Sequence, residues 1–212
     1  MKTPLVMLAV LTAAIVGPML SAEPAPAMKA TFVDANSPAV SEVRQYGEYA
    51  INRIGVSLLA EVNDALEKMS PEAAVDVCHL KYLKASHGTL AGLPRIATFK
   101  LTSLKVRNPA DRPDAAEQIV LEIVRQQLEN GDSPAPLLVQ RVEPAQGPAE
   151  WRVYKPLGVM SQCLACHGDP ASQSPALQAK LKKLYPNDEA TGYQAGEWRG
   201  MIRVTVSEPK KS

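Results

Sequence analysis

Nine residues, Gln162–Pro170 (QCLACHGDP), constrain this chain more than any other stretch, because they hold the pattern C-x-x-C-H at Cys163, Cys166 and His167. Two thiols three positions apart can add across both vinyl groups of one porphyrin, and the histidine directly after the second then lies under the iron. Covalent attachment of one haem c is the reading this pattern supports best. Two other chemistries use such cysteines. A thioredoxin-like dithiol sits between a strand and a helix of a βαβ unit, whereas Gly168-Asp169-Pro170 and a polar stretch follow here and read as loop. A structural zinc site needs four ligands. Cys78, His79 and His87 are the other residues of that kind, and no second C-x-x-C supports them.

The 212 residues suffice for one domain with a substantial core and are too few for two comfortable ones. Lys and Arg total 23 against 22 Asp and Glu, interspersed, so neither a nucleic-acid surface nor a basic membrane-binding face is expected. The N-terminus has the form of a secretory signal: Lys2, an apolar run over Leu5–Val16, then Gly17-Pro18. Cleavage after Ala22 gives a signal of residues 1–22, and cleavage after Ala27 fits the A-x-A form better. The run is short for a transmembrane span, with an uncleaved anchor as the alternative. No later stretch is apolar enough to cross a bilayer, so no membrane contact is expected beyond the signal segment.

Export agrees with haem attachment, since bacterial c-type haems are attached outside the cytoplasmic membrane. The expected location is the periplasm, which is oxidising. Cys78 is then the odd thiol, and the choices are a core position, an intermolecular disulfide or a metal bond.

Residues 23–38 are rich in Ala and Pro and read as a flexible lead-in, followed by one domain over residues 39–208. Ser37-Pro38 is a helix start. Ile51, Ile54, Leu58, Val62, Leu66 and Met69 then recur at helical spacing, giving one long amphipathic helix. Ser70-Pro71-Glu72 starts a second helix, running to about Ala85, after almost no loop. On it Ala74, Cys78, Tyr82 and Ala85 share a face, while His79 lies about 100° round from Cys78. Periodicity does not decide which of Cys78 and His79 faces a haem.

Ala97, Phe99 and Leu101 alternate like a strand. Pro113 opens a third helix with Ile119, Val120, Ile123, Val124 and Leu128 on its buried face, and Asn130-Gly131 ends it. Strands follow near Leu137–Val142 and Trp151–Tyr154, then the C-x-x-C-H motif, a short helix near Leu177–Leu184, and a last strand with Ile202, Val204 and Val206 on one side. About four strands and three or four helices without βαβ alternation make an α+β fold: an antiparallel sheet covered by helices.

Four segments, CHLKYLKASH (Cys78–His87), TSLKVRNPADRPDAAE (Thr102–Glu117), YKPLGVMSQCLACHGDP (Tyr154–Pro170) and YPNDEATGYQAGEWRGMIRV (Tyr185–Val204), together resemble an exported PAS-like, single-haem c-type domain family, long catalogued as a domain of unknown function. The likeness runs from Val40 to Val206. It implies a PAS-like antiparallel sheet with a long N-terminal helix and flanking helices, and one covalently bound haem c at one side. It also implies an axial pair of His167 and the sulfur of Cys78. Asp111 departs from the family's RNPxN element, and Ala116 stands where an aromatic often precedes the glutamate. Rival sixth ligands are His79, His87, Met160 and Met201. Met160 is too near Cys163 to reach the opposite haem face, and methionine at strand spacing is usually core packing. Arg107, first, and then Arg199 and Lys155 lie in or beside these motifs as candidates to pair with haem carboxylates.

A thiolate pushes electron density onto iron and favours the ferric state. The resemblance therefore implies a redox- or gas-responsive sensor module whose partner is a diatomic gas ligand or a redox partner protein. A low-potential periplasmic electron-transfer cytochrome is the alternative. No distal acid–base constellation marks a haem enzyme such as a peroxidase, so the chain is read as a non-enzyme.

Overall fold

Five short runs of alternating apolar and polar residues build one antiparallel sheet. The computed structural model describes residues 28–76, 92, 93 and 95–207. The strands are β1 (Lys29–Val33), β2 (Ile96–Thr102), β3 (Leu138–Glu143), β4 (Glu150–Gly158) and β5 (Trp198–Val206), in the spatial order β1-β3-β4-β5-β2. Every neighbouring pair is antiparallel. Period-two alternation sends Val153, Ile202 and Val204 to one face, and Tyr154, Met201 and Arg203 to the other.

The first face is covered by α1 (Ser41–Lys68). Pro38–Val40 forms a 3-10 turn before it, capped by the Ser37 hydroxyl, which accepts the Ala39 N–H at 3.4 Å. Val43, Ala50, Ile51 and Ile54 lie against Val153, Ile202 and Val204 in one buried cluster. Each buried valine or isoleucine among them contributes roughly 2 kcal/mol. Gly47 sets the approach: a Cβ there would stand 2.5 Å from a methyl of Val153, so glycine lets the helix sit directly on β4. The helix ends at Met69, whose extended backbone (φ −149°, ψ 165°) turns the chain sharply before residues 71–76 resume helical geometry.

The other face carries α2 (Ala115–Glu129), which begins two residues after Pro113. Asp114 is the cap: its carboxylate accepts the Glu117 N–H at 2.8 Å, and the Glu117 carboxylate accepts the Asp114 N–H at 2.9 Å. Its buried apolar residues are Ala116, Val120, Leu121 and Val124, the last three packed on Tyr154 and Met201. Ile119 and Leu128, expected inside, are exposed, and Glu117 is wholly buried instead. The carboxylate is satisfied by Lys100 at 2.7 Å and Arg203 at 2.9 Å, both from the sheet. A buried charge with two cationic partners can displace an aliphatic residue from a helix face.

The lead-in needs correcting too. Lys29–Val33 is an edge strand paired with β3 from Lys29↔Glu143 to Val33↔Val139, with Phe32 packed on the α2 cluster. That makes five strands rather than four. The stop at Asn130-Gly131 is as expected, with Gly131 at φ 82°. Residues 1–27, holding the expected signal, lie outside the described residues, as do Cys78, His79 and His87. Among the described residues no helix is long and apolar enough to cross a membrane.

Candidate functional site

The C-x-x-C-H segment follows β4 without a true loop. Ser161–Cys163 makes a 3-10 turn that runs directly into α3 (Leu164–His167). The Gly168 N–H closes the turn on the Leu164 carbonyl at 2.9 Å. A Cβ on Gly168 would stand 2.7 Å from that same oxygen, so the residue after the histidine has to be glycine for this closure. The short helix leads toward α4 (Pro175–Leu184) and not into a parallel strand, because β4 and β5 are antiparallel neighbours. The thioredoxin-like context is therefore missing. Among the described residues no group of three His, Cys, Asp or Glu side chains could hold a metal ion, so zinc gains no support from them.

Cys163, Cys166 and His167 all face one cavity of about 350 Å³. Its apolar walls come from the second half of α1 (Leu58, Val62, Leu66) and from Leu101, Leu157 and Ile202 at one end of the sheet. Ala74 and Val75, from helical residues 71–76, close another side. The helical stripe read from α1 thus has two roles: its first half covers the sheet, and its second half walls the cavity.

His167 is held from behind. Its Nδ1 lies 2.7 Å from the carbonyl oxygen of Ala190. A carbonyl only accepts, so Nδ1 carries the proton and Nε2 keeps its lone pair. The ring meets Tyr193 edge-on, with centroids 6.3 Å apart and planes at 83°. The backbone returns the contact: Tyr193 N–H donates to the His167 carbonyl at 3.0 Å, and Gly192 N–H to the Gly168 carbonyl at 2.9 Å. Burial, reinforced by the charges of Arg107 and Arg199, pushes the imidazole down to about 3. The ring is neutral across the physiological range, as a metal-binding imidazole must be.

The cationic candidates separate. Arg107 lines the cavity, but its Nη2 donates to the carbonyls of Cys166 (2.6 Å) and Ala190 (3.2 Å), and its Nε to Asp188 (2.9 Å). Arg199 also lines it, with Nη1 on the Ser103 hydroxyl at 2.6 Å and its guanidinium 5.4 Å from the centre of the Tyr193 ring. Burial holds the Arg199 pKa below its ordinary value. Lys105, which the sequence did not single out, joins this wall with its ammonium 4.4 Å from the Tyr193 ring centre. Lys155 instead donates to Asn52 at 2.7 Å and is not among the cavity walls. Met201 is fully buried in the α2 cluster, as core packing predicts, while Met160 is exposed at the cavity edge. Asp188, Ala190 and Tyr193 lie within the segment Tyr185–Val204 that carries the resemblance, but its pattern assigns none of them a role. They enter because segment 188–193 folds back on α3.

The fold and the cavity define a class: a PAS-like α+β domain with a five-stranded antiparallel sheet and a C-x-x-C-H turn in the wall of an apolar cavity. The chain belongs to the Tll0287-like family, whose model matches residues 36–207. Among solved structures it is similar to that titled "Crystal structure of the cyanobacterial heme-protein Tll0287", at 19% identity and a TM-score of 0.53, covering 84% of this chain and 99% of that one. At that identity the likeness concerns the fold. No curated protein matches this chain.

Proposed function

We propose that this protein carries one haem c in the periplasm and acts as a redox- or gas-responsive sensor module. The observation that carries the reading is the imidazole of His167, anchored through Nδ1 so that Nε2 keeps its lone pair, on the same cavity wall as Cys163 and Cys166. The two thiols would hold the porphyrin as thioethers, each S–H adding across one vinyl double bond, and Nε2 would hold the iron. The solved relative is itself a haem protein, which adds support. When bound, such a group supplies one-electron iron chemistry and, at an open axial position, diatomic gas binding.

Cys78 is proposed as the second axial donor. It stands four positions after Ala74, one helical turn along the same face by sequence spacing, and Ala74 lines the cavity. An anionic sulfur there would keep the potential low. Residues 71–76 rest on α4, through Val75 against Leu177 and Leu181 and through an ion pair of Asp76 with Lys180. Movement of residues 71–76 would therefore reach α4, which favours a sensor over a carrier. Lys2 and the apolar run Leu5–Val16 support export.

Absorption spectra of the exported protein, oxidised, reduced, and reduced under CO, test the reading. A sensor loses its sulfur ligand on reduction and binds CO. Six-coordinate low-spin iron in both states, with no CO complex, would replace the sensor by a low-potential electron-transfer cytochrome.

A further inference from the structure

Arg107 ties together two pieces of chain that His167 depends on. Its Nη2 donates to the carbonyl of Cys166, inside the C-x-x-C-H turn, and to the carbonyl of Ala190, the oxygen that also receives His167 Nδ1. Its Nε donates to Asp188 Oδ2 at 2.9 Å, and Asp188 Oδ1 accepts the Ala190 N–H at 2.9 Å. Asp188 thus holds residue 190 by its N–H while Arg107 holds it by its carbonyl. The two side chains are only 11% and 12% exposed, so water screens the pair little. Arg107 is itself steadied by the next residue: Asn108 caps the 3-10 turn Pro109–Asp111, accepting the Ala110 N–H at 3.1 Å.

From this geometry we infer that Arg107 and Asp188 are a positioning pair that fixes the ring of His167, and that Arg107 is not a partner for haem carboxylates. The inference rests on the proposed haem ligation. Ion-paired to Asp188, the guanidinium has its charge compensated, and Nε and Nη2 are spent on fixed acceptors. Outer bonds of this kind set the tautomer and orientation of a ligating histidine, and their loss costs about 10- to 100-fold in metal affinity.

The test uses the full-length holoprotein in five forms: wild type, Arg107→Lys, Arg107→Ala, Asp188→Asn, and the double variant Arg107→Ala with Asp188→Asn. The readouts are the ferric electron paramagnetic resonance spectrum and the reduction potential across pH. A positioning pair predicts that Arg107→Ala and Asp188→Asn broaden the ferric signal and move the potential in the same direction. The double variant then goes no further than the larger single change, and Arg107→Lys recovers part of the shift. A shift confined to the Arg107 variants and varying with pH, with Asp188→Asn matching wild type, would make Arg107 a carboxylate partner and overturn the inference. Should Arg107→Ala fail to mature, Arg107→Lys and Asp188→Asn carry the same comparison. A colourless wild type sinks the haem reading and this inference with it; a coloured wild type whose variants do not differ from it sinks the inference alone.

Discussion

The Nδ1 nitrogen of His167 donates to the Ala190 carbonyl across 2.7 Å, leaving Nε2 as the ring's one available donor to a metal. Under the proposed ligation the bond would make His167 a directed ligand, with a role separate from that of the thiols. In His167→Ala, Cys163 and Cys166 should still retain the haem covalently, while the iron loses its nitrogen ligand. The expected outcome is a coloured protein whose ferric spectrum has changed spin state, checked by absorption and magnetic resonance.

Gly168 closes the turn that presents the histidine. An alanine Cβ would stand 2.7 Å from the Leu164 carbonyl oxygen, a contact that only backbone movement relieves. Gly168→Ala should destabilise the fold by about 1–3 kcal/mol and lower the yield of coloured protein. Urea unfolding of the purified variant measures the first, and haem content per chain the second.

Glu117 is the charged centre of the opposite face, wholly buried and paired with Lys100 and Arg203. Glu117→Gln leaves two cations facing a neutral amide, at a cost of about 3–5 kcal/mol in unfolding free energy. None of α2 lines the cavity. The folded variant should keep the wild-type absorption spectrum while its thermal midpoint falls.

Asp114 links α2 stability to pH. Burial alone would raise its carboxyl, but the Glu117 N–H and the Arg152 guanidinium hold it below the ordinary carboxylate value. A depressed folded pKa means that the stabilisation is present above the unfolded value of about 3.9 and is lost as pH falls through the folded one. Asp114→Asn keeps a capping oxygen but no charge, so its stability should fall less steeply than wild type on acidification below that value. Denaturant midpoints between neutral pH and pH 3 would show parallel acid limbs if the idea is wrong.

Local patterns made part of this molecule legible. The three- and four-residue spacing of α1, the alternation in β5 and the Asn130-Gly131 stop are consequences of neighbours along the chain, and the structure contains all three. The strand Lys29–Val33 did not, because five residues within an Ala- and Pro-rich lead-in become a strand only through pairing with β3, more than a hundred positions away. The buried face of α2 departs from its apolar periodicity for a similar reason: Lys100 and Arg203, which admit Glu117 to the interior, come from distant strands.

The site divides in the same way. Cys163, Cys166 and His167 lie within five consecutive residues, so the chemistry proposed for them rests on a local pattern. The acceptor for Nδ1 is a backbone carbonyl, which no residue type announces. Arg107 was legible as a cation near the motif, but the carbonyls and the carboxylate that engage it could be found only in three dimensions.

The most direct measurement is acid-acetone extraction of the purified mature protein beside its Cys163→Ser, Cys166→Ser double variant. Thioether attachment at these two sulfurs predicts that wild type keeps its colour in the protein pellet and that the double variant does not. A colourless wild type, or pigment passing into the solvent from both proteins, would contradict the account.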